Sequence, residues 1–110
     1  MLEYHKLVRD FIPEIIQKDG KEAITKILSN EDYKSELRKK AYEELKEYMV
    51  ATTDKESIEE LADLLEIIYS LAVVHGATMD ELEKVRKHKA EKRGGFQNKI
   101  FLIGVKDEKD

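Results

Sequence analysis

The fold is decided by residues 40–74, which read KAYEELKEYMVATTDKESIEELADLLEIIYSLAVV. Apolar residues recur at helical spacing on both sides of the central TTDKE, where Thr53 and Glu56 match the capping box of a helix start. The stretch therefore predicts two long helices, over residues 30–49 and 54–75, that fold back on each other as an antiparallel hairpin.

Shorter elements flank this hairpin. Pro13 is typical of the first turn of a helix, which predicts a short helix over residues 13–18. Thr78 and Glu81 form another capping box, which predicts a third helix of the bundle over residues 79–93.

Extended segments complete the prediction. Alternating β-branched residues over 22–28 predict a short strand, and residues 96–105 are expected as an extended tail or strand. We expect an all-α fold: a helical bundle of two long antiparallel helices plus a third helix, with short extended segments at the termini. It should form a single domain over residues 1–110.

The second long helix is apolar around most of its circumference. Between residues 61 and 74 it carries only two charged side chains, Asp63 and Glu66. One small domain cannot easily bury such a helix on all sides. We therefore expect a homo-oligomer, a dimer or a tetramer, with this helix near the interface.

Composition excludes several classes of function. The net charge of −4 argues against binding to DNA or RNA, which requires a basic surface. The chain has no Cys, which excludes disulfides, a thiol nucleophile and a thiolate metal site. No apolar run approaches the roughly 20 residues of a membrane span, and no signal-peptide pattern opens the chain, so we expect a cytoplasmic protein.

Four acids stand out in the hairpin as two pairs spaced three residues apart: Glu44 with Glu47, and Glu60 with Asp63. This spacing places each pair on one helix face, and an antiparallel hairpin can bring the two pairs together. Glu44 and Asp63 fall among apolar neighbours, where a carboxylate is costly unless it is paired or bound to a cation. The alternative is that these are ordinary solvated acids, since 40% of the residues are charged.

The residue types limit which metal ion and which kind of substrate such a site could bind. No His follows a Glu at the spacing of carboxylate-bridged iron sites, and the zinc-protease spacing is missing. An all-oxygen site favours Mg²⁺, with Mn²⁺ as an alternative, and the usual companion is a phosphate-bearing substrate. The candidate cations for such phosphates are Lys6, Arg9, Lys89, Lys92 and Arg93, although basic residues at a helix end also complement the helix dipole.

The acids at 44, 47, 60 and 63 resemble the Glu-x-x-Glu … Glu-x-x-Asp signature of the all-α NTP pyrophosphatase superfamily. That superfamily includes MazG proteins, dimeric dUTPases and phosphoribosyl-ATP pyrophosphohydrolases. The flanks YHKLVRD (4–10), IPEII (12–16) and KAEKRGGF (89–96) resemble its small stand-alone branch, named phosphoribosyl-ATP pyrophosphohydrolase-like or predicted house-cleaning NTP pyrophosphatase. Phe11 departs from the pattern, because relatives commonly carry a basic residue there.

The resemblance implies oligomers that cleave nucleotides between the α- and β-phosphates with Mg²⁺. Carried onto this sequence, it assigns the metal ligands to Glu44, Glu47, Glu60 and Asp63. Of these acids, Glu47 at the edge of the apolar stripe is the candidate to accept the proton of the attacking water. It assigns substrate phosphates to Lys89 and Arg93 first, and then to Lys6 and Arg9.

Three hypotheses follow. The first is a house-cleaning enzyme that converts NTP and water to NMP and pyrophosphate. The second is phosphoribosyl-ATP pyrophosphohydrolase, an enzyme of histidine synthesis. The third is a non-catalytic helical oligomerisation or nucleotide-sensing module, which would show no metal-dependent turnover.

Overall fold

A computed structural model describes residues 1–107, which form four α-helices and no strand. The helices are α1 (Ile12–Lys18), α2 (Asn30–Val50), α3 (Asp54–Val74) and α4 (Met79–Arg93). The all-α prediction is confirmed, and each helix begins and ends within one residue of its predicted position. Residues 108–110, which the predicted domain includes, lie outside the described residues.

Each of the three long helices begins at a hydroxyl-bearing residue. The side chains of Ser29, Thr53 and Thr78 each accept a hydrogen bond at 3.1 Å from the backbone N–H three residues further on. Such a cap stabilises a helix by about 1 kcal/mol, because it satisfies an N–H that has no partner inside the helix. Only three residues separate the end of α2 from the start of α3, and the chain reverses its direction there.

The strand predicted over residues 22–28 is wrong, and of the two alternatives for residues 96–105 the tail, not the strand, is present. Residues 22–28 have no regular structure, and the tail that begins at Phe96 opens with a turn closed by a hydrogen bond from Lys99 N–H to the Phe96 carbonyl. Alternation of side chains is a local signal, whereas a strand needs a neighbouring strand to pair its backbone groups. Neither segment has such a neighbour within residues 1–107.

The core lies between α2 and α3. These helices pack against each other as an antiparallel hairpin, and α4 contacts α3. Leu37 of α2 and Ile67 of α3 are 3% and 7% exposed and are the only buried hydrophobic side chains in the described part of the chain. Within that same part, α1 makes no contact with another helix.

The single chain is elongated and leaves much apolar surface uncovered. Its radius of gyration is 19.5 Å, whereas a compact domain of this length has roughly 13 Å. Its accessible surface is 10674 Å², whereas a compact monomer of this mass exposes about 6,300 Å². On α3 an apolar stripe of Ile58, Leu61, Leu65 and Ile68 is 39–65% exposed. Its own chain therefore buries only one side of α3.

The chain changes direction sharply between α3 and α4, at the turn that contains Gly76. The axes of α3 and α4 are bent by 104° relative to each other. No single helix within residues 1–107 has the length and hydropathy of a membrane span, and α3 and α4 meet that criterion only when they are taken together. Gly76 has a φ of +82°, a conformation that glycine adopts without steric cost. The turn therefore carries α4 away from the hairpin rather than along it.

Candidate metal and active site

Three of the four predicted acids converge between α2 and α3. One carboxylate oxygen from each of Glu44, Glu47 and Glu60 lies within 4.8 Å of the other two. The three-residue spacing puts Glu44 and Glu47 on one face of α2, and the hairpin brings Glu60 of α3 opposite them. We call these three residues the acid cluster.

Two oxygens of the acid cluster have no hydrogen-bond partner. Oε2 of Glu44 and Oε2 of Glu60 are inaccessible to solvent and receive no hydrogen bond from a donor, while Glu47 is exposed. A buried carboxylate oxygen without a partner is unfavourable, and a cation or a proton removes the cost. An all-oxygen donor set with unpaired carboxylates fits a hard divalent cation such as Mg²⁺ or Mn²⁺.

The same crowding changes the acidity of Glu60. Desolvation is the largest cause, and it acts together with a close interaction with the Glu44 carboxyl and the negative charges of Glu47 and Asp63 to raise the pKa of Glu60 to about 7. The contact between Glu44 and Glu60 becomes a hydrogen bond only when one of them is protonated. Without a cation, a shared proton therefore lowers the repulsion within the acid cluster.

Asp63, the fourth acid, lies outside this group of three. Its Oδ1 accepts a hydrogen bond from Arg9 Nη2 at 2.7 Å, and both side chains are about half exposed. The ion pair attaches the segment before α1 to the site. The resemblance assigned Arg9 only a secondary role, at the substrate phosphates. No spacing rule connects two residues that are 54 positions apart.

None of the other candidate cations forms an ion pair with the acid cluster within residues 1–107. Lys6 Nζ lies 5.5 Å from the centroid of the Tyr4 ring and lines a small depression on α2 beside Glu43. Lys89 and Arg93 are exposed on α4, and within residues 1–107 neither forms an ion pair or hydrogen bond with the acid cluster.

We expect the raised pKa of Glu60 to appear in the stability of the metal-free protein. Between pH 4.5, its ordinary value, and about pH 7 the folded state binds more protons than the unfolded state. The contribution of Glu60 to the free energy of unfolding therefore falls as the pH rises through this window. Calorimetry in the presence of a metal chelator, from pH 4 to 8, measures this free energy of unfolding, and the Glu60→Gln variant is the control. The difference between the two proteins should change across the window; a difference that is constant with pH would contradict the assignment.

Comparison of the chain with known protein families gives one match. The family model described as phosphoribosyl-ATP pyrophosphohydrolase matches residues 8–89, about three quarters of the chain. No curated protein and no solved structure matches the chain. The matched region contains the acid cluster together with Arg9 and Asp63 and ends at Lys89.

Proposed function

The chain belongs to the phosphoribosyl-ATP pyrophosphohydrolase family, and we propose that it hydrolyses phosphoribosyl-ATP to phosphoribosyl-AMP and pyrophosphate. Members of this family are nucleotide pyrophosphohydrolases that act on acid anhydrides, typically with a divalent metal ion. The observation that carries the proposal is the convergence of Glu44, Glu47 and Glu60 within a match to this family. Of the three hypotheses, the family match favours the reaction of histidine synthesis over house-cleaning.

Hydrolysis of nucleoside triphosphates in house-cleaning is the second candidate. Both reactions break the same kind of bond, the anhydride between the α- and β-phosphates, so the same carboxylates can serve either. One observation supports this candidate: the flanking segments resemble a branch whose names include house-cleaning NTP pyrophosphatase, and residues 4–7 and 90–96 of those segments lie outside the family match.

We assign the metal site to the acid cluster and to Asp63, with Mg²⁺ as the ion and Mn²⁺ as the alternative. When bound there, such an ion neutralises phosphate charge and lowers the pKa of a water molecule. The carboxylates of Glu44 and Glu60 hold the site from its solvent-excluded side. Glu47 is the most exposed member of the acid cluster, and this makes it the carboxylate best placed to accept a proton from the attacking water.

Cations near the acids are assigned to the substrate phosphates. Arg9 already lies beside Asp63, and its planar guanidinium suits two oxygens of one phosphate. Lys6 follows it on the same segment, as a mobile point charge. Lys89 and Arg93 are assigned to the pyrophosphate leaving group, whose developing charge needs fixed cations.

We also infer that the active form is a homo-oligomer. Ile58, Leu61, Leu65 and Ile68 recur along α3 at the spacing of a helix-packing seam, yet all four are exposed in the single chain. A second copy related by a two-fold axis can cover this stripe with its own. Dimers and tetramers both satisfy this requirement.

A substrate panel tests the proposed function. Pyrophosphate release with Mg²⁺ is measured for phosphoribosyl-ATP, the standard nucleoside triphosphates and deaminated or oxidised triphosphates. We expect phosphoribosyl-ATP to exceed every other substrate by about tenfold or more in kcat/KM. A triphosphate that exceeds it by that margin would favour house-cleaning. Absence of release from all nucleotides would favour the non-catalytic module.

A further inference from the structure

Asp63 differs from the other three acids because it is already paired with a cation. Of the four, it is the one that forms an ion pair within residues 1–107. Its Oδ1 accepts the 2.7 Å hydrogen bond from Arg9 Nη2, and it lies one helical turn from Glu60 on α3. Asp63 is therefore next to the acid cluster, but its carboxylate is bound to Arg9.

The ion pair between Arg9 and Asp63 is easily exchanged. The two side chains are 56% and 43% exposed, and an ion pair in contact with water adds little to stability because water screens the charges. Within residues 1–107 the pair has one hydrogen bond, whereas the strongest pairs of arginine with a carboxylate have two in parallel. A divalent ion carries twice the charge of the guanidinium and attracts the carboxylate more strongly.

The segment that carries Arg9 has few other attachments. Within residues 1–106 the pair with Asp63 is the one hydrogen bond or ion pair between residues 1–28 and the rest of the chain. Leu7 and Val8 are half-buried, whereas residues 1–6 are exposed and α1 contacts no other helix within residues 1–107. Arg9 can therefore leave Asp63 without disturbing the packing between helices.

A divalent ion and the guanidinium of Arg9 oppose each other at this place. At a given separation, the repulsion between charges of +2 and +1 is twice that between two unit charges. An ion held by the acid cluster would lie within about one helical turn of Asp63, and hence close to Arg9. The phosphates of a nucleotide offer the guanidinium another negative partner, with oxygens that suit its planar shape.

We propose that Arg9 is a displaceable cation, which neutralises Asp63 until a divalent ion binds at the acid cluster and Asp63 exchanges Arg9 for that ion. The guanidinium then becomes available to the substrate phosphates, the role assigned to it above. Full binding of the nucleotide therefore follows binding of the metal ion. This inference rests on the proposed function for the metal site and the phosphates, but the exchange itself requires no turnover.

Removing the competing cation tests the exchange. Without nucleotide, Arg9→Gln should bind Mn²⁺ about fivefold more tightly than wild type, because Asp63 no longer has to release a guanidinium. The electron paramagnetic resonance signal of free Mn²⁺ measures the Kd. The control is Lys6→Gln, which removes the same charge from a side chain that lies over the Tyr4 ring, and it should change the Kd less than twofold.

Two outcomes of this measurement would contradict the proposal. If Arg9 instead orients Asp63 as a ligand, Arg9→Gln would bind Mn²⁺ no better than wild type, or more weakly. If Arg9→Gln and Lys6→Gln gained affinity equally, the gain would reflect the charge of the segment alone. Either result would overturn the exchange.

A second measurement needs neither a substitution in the tested protein nor activity. In NMR spectra, rotation about the guanidinium bonds is slow while Arg9 is paired, and titration of wild type with Mg²⁺ should make it fast. Arg86, which pairs with Glu83 on α4, is the internal control and should not change; a spectrum of Arg9→Lys identifies the Arg9 signal. An Arg9 signal that stays slow at saturating Mg²⁺ would overturn the proposal. Exchange in a protein that hydrolyses no nucleotide would instead contradict the proposed function.

Discussion

Replacing Glu44 by Gln should lower kcat/KM about a thousandfold, equivalent to roughly 4 kcal/mol of transition-state stabilisation, because it removes the charge of a proposed metal ligand. The metal-free fold should keep its stability or gain some. The buried Oε2 of Glu44 has no donor, and the new amide can donate a hydrogen bond to the carboxylate of Glu60. Activity and stability are therefore expected to change in opposite directions.

Two measurements check this expectation. Pyrophosphate release gives the activity, and the rise in Tm on adding Mn²⁺ reports metal binding to the folded state. The matched control is Glu59→Gln, which removes the same charge from an exposed position beside Glu60 and should leave both readouts within about twofold of wild type. A Glu44→Gln protein that keeps the full Mn²⁺ response would show that the metal site lies elsewhere.

The hairpin and the convergence of its acids were predictable because their causes are local. The caps at Thr53 and Thr78 fix where the helices begin. Three-residue spacing puts Glu44 and Glu47 on one face of α2, and the short connection to α3 turns that face toward Glu60. The strand predicted at residues 22–28 failed because strand formation depends on a distant partner that local alternation does not reveal.

The cations of the site depend on features that no periodicity encodes. Arg9 reaches Asp63 from a segment with no regular structure, across 54 positions of sequence. The 104° turn between α3 and α4 contains Gly76 with its positive φ, and it changes the direction in which α4 carries Lys89. The residue types therefore identified the candidate cations, whereas only the tertiary structure gives their positions relative to the carboxylates.

Replacing Leu65 by Asp should separate the proposed homo-oligomer and unfold the chain. Leu65 lies at the centre of the exposed stripe on α3 and is 44% exposed in the single chain. At a position that stayed exposed, the substitution would change the free energy of unfolding by about 0.5 kcal/mol or less. In a two-fold interface it buries an unpaired charge in each copy, at a cost of roughly 3–5 kcal/mol per charge. The size of the change in the free energy of unfolding therefore shows whether a second copy covers the stripe.

Sedimentation gives the mass of the assembly, and the dependence of Tm on protein concentration tells whether folding and association are coupled. Two controls separate charge from position. Leu65→Met keeps an apolar side chain in the stripe and should leave the oligomer intact. Ile27→Asp adds the same charge at an apolar residue that is 97% exposed and lies off the hairpin, and it should have little effect. If Leu65→Asp kept the wild-type mass and Tm, the stripe would face solvent, and the apolar surface of α3 would need another explanation.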